Sequence, residues 1–329
     1  MDNQLDFLAI GDIVTDAFIK LSEAEVKDCV NHERQELCIS FGDKVPFDSV
    51  TIVKGVGNCA NAAVSASRLG LKAGLVTYVG NDQYGKECIE TMQADNVNTD
   101  YIEMQEGKKT NYHYVLWYGV ERTILVNHEH YTYTWPNVMP APKWIYLTSL
   151  GAGTEEYHNQ ISQYLIANPE VKLAFQPGTF QIKMGTEALK DIYAHTEVFF
   201  CNVEEAKRIL NSEESDIKVL MAKLKELGPK HVVITDGING AYAFDGNESW
   251  FMPIYPHDPF ERTGAGDAFA STLTSALALG MPLGEAIKWG PVNSMSVVQK
   301  IGAQEGLLPR EKLEEYLKNA PQDYQPKKI

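Results

Sequence analysis

Short apolar runs alternate with amphipathic stretches along most of this chain. The runs at 5–10, 74–79, 144–147, 171–175, 198–200 and 231–235 are too short for buried helices and are each followed by polar or turn-forming residues. They predict buried strands. Between them, helical spacing over 60–69, 84–93, 155–167, 187–194, 204–210 and 217–227 predicts the connecting helices, and two more, 265–279 and about 285–300, close the pattern. Buried strands alternating with helices predict an α/β fold, a doubly wound and mostly parallel sheet flanked by helices. No internal repeat and no Ser/Gly/Pro linker divides it.

Two regions break this rhythm. Residues 36–54 and 110–127 read as extended and β-rich, with NYHYVLWY at 111–118 and a turn at Gly119 before TILV at 123–126. Such hairpins expose too much apolar surface to stand alone in water. They read either as a sheet extension or, as the favoured reading, as a small β lid that covers a substrate or meets a partner subunit. In that lid the stripe Tyr112, Tyr114, Leu116 and Tyr118 reads as packing rather than a base-stacking platform, and Arg122 as a solvated turn residue rather than one that reaches the substrate.

Composition narrows the partners. With 44% hydrophobic and 22% charged residues and a formal net charge of −15, the chain has no electrostatic grip for nucleic acid or an anionic membrane. Its partners are expected to be small molecules. Cys29, Cys38, Cys59, Cys88 and Cys201 are scattered without CxxC pairs, which argues against a disulfide framework or a zinc site. The opening MDNQLDFLAIGDI lacks a basic segment followed by a long apolar one, and no run approaches the ~20 apolar residues of a membrane span. A reducing, cytoplasmic setting is the expectation.

The strongest chemical signal is TGAGDAF at 263–269. Gly264, Ala265 and Gly266 lead into an apolar helix, so their amides sit where unsatisfied N–H groups and the helix dipole favour an anion. Asp267 then stands beside a bound phosphate, placed to take a proton from an attacking hydroxyl. Helix capping by Asp267 is the competing reading for the tetrapeptide alone.

TGAGDAF resembles a signature of the ribokinase-like (PfkB) family of carbohydrate and nucleoside kinases, and other segments follow in the family's order. GDIVTD at 11–16 is similar to its first strand and turn, GNCAN at 57–61 to its first signature, NVEE at 202–205 to its NxxE segment, and TDGING at 235–240 to its TxGxxG turn. KIGAQ at 300–304 with Pro309 is similar to its closing segment. The resemblance implies a single ribokinase-like domain over 1–329 with a lid from about 36–54 and 110–127. It implies ATP as donor with Mg²⁺, Asp267 as base, and Gly264, Ala265 and Gly266 as anion hole. Asp16, Gly57, Asn58 and Asn61 are then expected to hold the acceptor. Asn202, Thr235, Gly237 and Gly240 are expected to contact ATP, and Glu205 to act on the metal, directly or through water.

The chain departs from the family pattern in several places. Val56-Gly57 replaces a glycine pair, and Glu261-Arg262-Thr263 replaces Asp-Thr-Thr, which argues against a potassium site and puts a fixed charge, Arg262, near the phosphates. The implied reaction moves the γ-phosphate of ATP to a hydroxymethyl group. The expected acceptor is a small sugar of the ribose, fructose or keto-sugar-acid class, with a nucleoside as runner-up and a non-catalytic ligand sensor as a third reading.

Other patterns are weaker. GNDQYGK at 80–86 has P-loop spacing, but Glu87 stands where the metal-binding Ser/Thr belongs. GVGNCA at 55–60 imitates a dinucleotide fingerprint but follows a lid strand. His128 and His130 lack a second ligand pair and read as a polar strand end, and 311–318 reads as a surface helix.

Overall fold

The computed structural model describes residues 4–28, 35–138 and 140–329; Cys29 lies outside them. The strands are β1 (Phe7–Ile10), β2 (Val14–Leu21), β3 (Glu25–Asp28), β4 (Gln35–Cys38), β5 (Phe47–Val56), β6 (Ala73–Gly80), β7 (Ile102–Gln105) and β8 (Tyr112–Tyr118). They continue as β9 (Glu121–Leu125), β10 (Trp144–Leu147), β11 (Lys172–Phe175), β12 (Thr196–Asn202), β13 (His231–Thr235), β14 (Ala241–Phe244), β15 (Ser249–Met252) and β16 (Lys327–Lys328). The main sheet has 10 strands in the order β16-β15-β14-β13-β12-β11-β10-β1-β6-β7. From β7 to β13 every pairing is parallel, and β14 to β16 add an antiparallel edge.

The alternation expected of strands buried on both faces holds. Phe7 and Ala9 of β1 belong to one core layer, Leu8 and Ile10 to the other. The first layer is closed by α1 (Asn58–Arg68), α2 (Gln83–Ala94) and, from the end of the chain, the apolar helices at Ala265–Ala278 and Trp289–Val297. The second is closed by α3 (Glu155–Ala167), α4 (Thr179–Met184), α5 (Lys190–His195), α6 (Val203–Leu210) and α7 (Ile217–Glu226). The C-terminal helices are α8 (Ala265–Ala278), α9 (Leu283–Ala286), α10 (Trp289–Val297) and α11 (Arg310–Lys318). The single helix expected over 285–300 is thus two, separated at Ile287-Lys288.

Strand β1 lies between β6 and β10, so the chain leaves it in both directions across the sheet. Such a switch point opens a crevice beyond the C-terminal strand ends, where α/β sheets place their ligands. Gly11-Asp12 follows β1, Gln176 follows β11, and Asn202 and Thr235 are register partners at the ends of β12 and β13.

A second sheet, ordered β5-β2-β8-β9, forms the lid, and β3 and β4 pair as a separate ribbon. The lid includes β2, whose residues the sequence reading placed at the end of the first strand and turn. Its registers define two faces. Val53, Asp16 and His113 lie in one row across β5, β2 and β8, and Trp117 pairs with Arg122 on that face. Ile52, Ala17, Tyr114 and Leu125 form a row on the opposite face. The stripe Tyr112, Tyr114, Leu116 and Tyr118 therefore lies on the face away from Asp16. The buried residues of β8 are Val115 and Trp117, one position out of phase.

Candidate active site

Gly264 opens α8 with φ 81°, a left-handed conformation that costs a side chain dearly. A Cβ there would also lie 2.7 Å from Ala303 Cα. Both constraints demand glycine. Beyond it, the space over Gly266 is open, with Gln176 Nε2 the nearest atom at 3.8 Å from where a Cβ would sit. The first turn of α8 thus offers its amides to the crevice.

Asp267 follows in the same turn. Its Oδ1 accepts from Asn58 Nδ2 at 3.0 Å and its Oδ2 from Asn61 Nδ2 at 2.9 Å. Gln304 Nε2 donates to Asn61 Oδ1 at 3.1 Å and to Gly55 O at 2.7 Å, which fixes the amide so that its NH₂ points at the carboxylate. Both asparagines sit in the first turn of α1, behind Gly57 at φ 108°, where a Cβ would meet Asp12 O at 2.6 Å. Burial pushes the Asp267 carboxyl up to about 6, against the two amide bonds and Arg122, which pull it down; Glu205 pushes in the same direction as burial. A carboxylate so tuned is ionised at neutral pH yet a stronger base than an exposed aspartate. Asn61→Ala removes one lowering interaction, so the acidic limb of a pH–rate profile moves above pH 6 and kcat falls about 10–100-fold through lost positioning. An unmoved limb would detach Asn61 from the base.

Two cavities, of about 460 and 380 Å³, meet at this turn and share Asn202, Thr235, Arg262, Ala265, Gly266 and Phe269. The larger runs under Gly237, Ile238 and Gly240 and is walled by Ala241, Ile254, Pro291 and Val298, a slot suited to a flat, apolar-faced ring. Gly240 has φ 100°, and a Cβ there would meet Met252 O at 2.5 Å. The smaller holds Asp267, Asn58, Glu205 and Arg122.

Asn202 caps α6: its Oδ1 accepts from Glu205 N at 2.8 Å, and Glu205 Oε2 accepts from Asn202 N at 2.9 Å. This reciprocal box accounts for the NxxE spacing on structural grounds alone. Burial raises the Glu205 carboxyl more than its capping hydrogen bonds with Asn202 and the Arg208 charge lower it. Among the described residues no group of three or more His, Cys, Asp or Glu could cage a metal. A single carboxylate here fits Mg²⁺, an ion that keeps several waters and would take other ligands from a bound phosphate.

Arg122 is not a solvated turn residue. It lines the smaller cavity, with Nε 3.9 Å from the fully buried Glu261, and its neighbour Glu121 accepts from Arg262 Nη1 at 2.7 Å. The two Glu-Arg dipeptides thus cross, one from the lid and one from the approach to α8. Glu261 Oε1 also takes Thr263 N at 2.8 Å and Thr263 Oγ1 at 2.5 Å. Arg262 lines both cavities, consistent with a fixed charge near phosphates.

Asp16 lies on the inner face of the lid, with His113 Nδ1 3.5 Å away. Sequence reasoning overlooked Asp12, His113 and Tyr133, and read His128 as a strand end. His128 turns inward, its Nδ1 3.5 Å from Asp12 Oδ2, while His130 is exposed. Pairing of Asp16 with His113 follows from the β2–β8 register, which no local pattern discloses. The P-loop-like segment is closed to phosphate: Asp82 caps α2 by accepting from Gly85 N at 2.9 Å and also takes Thr110 Oγ1 at 2.7 Å.

Residues 38–310 match the description of the pfkB family of carbohydrate kinases. The chain is 27% identical over 292 residues to a ribokinase of Bacillus subtilis, covering 84% of this chain and 92% of that one. It is 28% identical over 257 residues to a cytidine kinase of Thermococcus kodakarensis, covering 75% and 88%. An Arabidopsis thaliana ribokinase solved with ribose and ATP superposes with a TM-score of 0.77 at 18% identity, over 96% of this chain and 99% of that one. The family match over most of the sequence, together with a shared fold along nearly its whole length, shows that this chain belongs to the pfkB family of carbohydrate kinases.

Proposed function

We propose that this chain moves the γ-phosphate of ATP to a hydroxymethyl group of a small sugar, with Asp267 as the base that draws off the hydroxyl proton. The observation that carries this is the carboxylate, raised to about 6 and clamped by Asn58 and Asn61, beside the open first turn of α8 where two cavities meet. In this reading ATP lies in the larger cavity against Asn202, Thr235, Gly237 and Gly240. The acceptor lies beyond Asp267, toward Asp16, Gly57, Asn58 and Asn61. The amides of Gly264, Ala265 and Gly266 and the Arg122 and Arg262 guanidiniums stabilise charge on the transferred group. Mg²⁺ held at Glu205, directly or through water, supplies neutralisation of the phosphate charge.

A nucleoside is the second acceptor reading, supported by the cytidine kinase relative. The aromatic lid does not add to it, because the Tyr112–Tyr118 stripe faces away from Asp16. ADP release measured over a panel of sugars and nucleosides separates these acceptors; ligand binding with no ADP release from any of them sinks the kinase reading and leaves a sensor.

The reading treats 1–329 as one domain in a cytoplasmic setting. Among the described residues no helix is long and apolar enough to cross a membrane, and Cys38, Cys59, Cys88 and Cys201 are free. It also includes a homodimer through the lid. Ile52, Tyr114 and Leu125, in one row of the outer lid face, are 52%, 49% and 51% exposed. Apolar rows of this kind mark association surfaces. Leu125→Lys should then halve the sedimenting mass without unfolding the chain; an unchanged mass means that this face is not the interface.

A further inference from the structure

Tyr146 is fully buried on β10, stacked on Phe7 with 5.5 Å between ring centres, and its hydroxyl donates to Gln176 Oε1. Among the described residues Gln176 is the phenol's one hydrogen-bond partner. A phenol has a single proton to give, and an amide presents an oxygen on one side and an NH₂ on the other. Were the Gln176 amide turned over, the buried O–H would face N–H groups and lose its acceptor. A buried donor so left costs about 1–3 kcal/mol. Tyr146 therefore sets which end of the amide points where. Burial, with Asp267 and Cys59 adding to it, holds the phenol well above its ordinary pKa, so it keeps that proton.

The backbone leaves Gln176 little freedom. It directly follows β11, its N–H donates to Leu147 O at 2.9 Å, and Pro177 fixes the next φ. Ala174, two residues earlier on the same face, is the register partner of Tyr146. Gln176 lines the smaller cavity with Asp267 and residues 264–266. Its Nε2, the nearest atom over Gly266, makes no hydrogen bond among the described residues.

We propose that Gln176 is a further catalytic residue of phosphoryl transfer, its NH₂ donating to the phosphoryl group held at Gly266, and that Tyr146 is its positioning residue. This rests on the kinase reading of the site and adds one donor to it.

An anion seated on the amides that open α8 lies at Gly266, which lines both cavities, and the Gln176 NH₂ faces the same opening. An uncharged donor suits a place beside a base. A lysine or arginine there would lower the Asp267 pKa and weaken it as a proton acceptor, whereas an amide gives a hydrogen bond without adding charge. Because Tyr146 orients the amide before any ligand arrives, nothing has to reorganise as charge moves onto the transferred oxygens. Gln176 itself takes no proton and forms no covalent bond; the hydroxyl proton still goes to Asp267.

The experiment titrates the full chain with ADP and Mg²⁺ by calorimetry, with and without aluminium fluoride as a stand-in for the transferred phosphoryl group. D-ribose, D-fructose and cytidine are added in turn, and ADP release from ATP is measured with the same three. Wild type should bind ADP with the fluoride about 100-fold or more tightly than ADP alone. Gln176→Leu, which removes the donor at similar volume, should erase about tenfold or more of that gain and lower kcat by a like factor. Gln176→Glu, which turns lone pairs toward the same spot, should lower kcat about 100-fold, with the KM for ATP within a few-fold of wild type. Tyr146→Phe keeps the stacked ring but frees the amide, and should lower kcat about tenfold with ADP binding unchanged. Unchanged kcat in both folded Gln176 variants, or equal weakening of ADP and of its fluoride complex, overturns the proposal. So does a wild-type structure with ADP and aluminium fluoride in which Gln176 Nε2 lies beyond about 3.5 Å from every fluoride and phosphate oxygen, a measurement that needs no variant to fold. No ADP release by wild type, with a fluoride complex weakened through Gln176, keeps the donor and fails the kinase reading. ADP release together with fluoride binding indifferent to Gln176 does the reverse.

Discussion

Replacing Asp267 with Asn is expected to lower kcat about 10³-fold or more while ATP binding, read by calorimetry, stays within a few-fold of wild type. General-base catalysis contributes about 10²–10⁴, and an amide cannot accept the proton, whereas the proposed function puts ATP along the other cavity. The same substitution should raise thermal stability. The folded-state pKa of Asp267 is raised from 3.8 to about 6. Folding therefore favours the protonated form, and the stability this group contributes is present below about pH 4 and lost as pH rises through 6. At neutral pH the ionised carboxylate costs up to about 3 kcal/mol, at about 1.4 kcal/mol per pKa unit. An uncharged amide avoids that cost, provided the Asn58 amide turns its oxygen toward the new NH₂, since Gln304 fixes Asn61 as a donor. Wild-type activity should correspondingly fall tenfold per pH unit below about 6. Near-normal turnover by the Asn variant would remove Asp267 from its role; a lower melting temperature would mean that the ionised form is better compensated than its surroundings indicate.

Gly264→Ala carries the second large effect. The residue is at φ 81°, and a methyl group would stand 2.7 Å from Ala303 Cα, which is backbone and cannot swing aside. Backbone strain of about 1–3 kcal/mol adds to overpacking of about 1–3 kcal/mol. Chemical denaturation should show a loss of about 2–6 kcal/mol. Because Gly264 opens the turn that presents the anion-binding amides, kcat should fall more than acceptor binding weakens. Stability within about 0.5 kcal/mol of wild type would show that the turn relaxes freely.

Much of this was legible in the sequence, for identifiable reasons. The strands of the parallel sheet are buried on both faces, so Phe7–Ile10 and Trp144–Leu147 announce themselves as apolar runs. The GAGD turn is contiguous, and so are the caps and tight glycine turns at 57–61, 202–205 and 235–240; each requirement is met within a few residues of chain. The strands β7, β14 and β15 were missed because each is four residues long and only partly buried. What escaped at the site is non-local. Arg122 reaches Glu261 from a hairpin 139 positions upstream, and His128 reaches Asp12 across more than 100. An "HEH" between polar neighbours carries no trace of the carboxylate it faces. The lid stripe was misjudged by one position of strand phase. Tyr112 and Tyr114 look like the packing residues by size, but β2 presents Asp16 and Phe18 on the other side, and His113, Val115 and Trp117 follow them.

The connection from β1 to β2 has a mechanical consequence. Only Gly11, Asp12 and Ile13 separate the rigid centre of the main sheet from the lid strand that carries Asp16. Asp12 sits on the strap itself and Asp16 and His113 on the cover, so any swing of the cover about those three residues moves Asp16 relative to the body of the sheet. In the proposed kinase, letting go of an acceptor held at Asp16 and lifting the cover would then be a single movement.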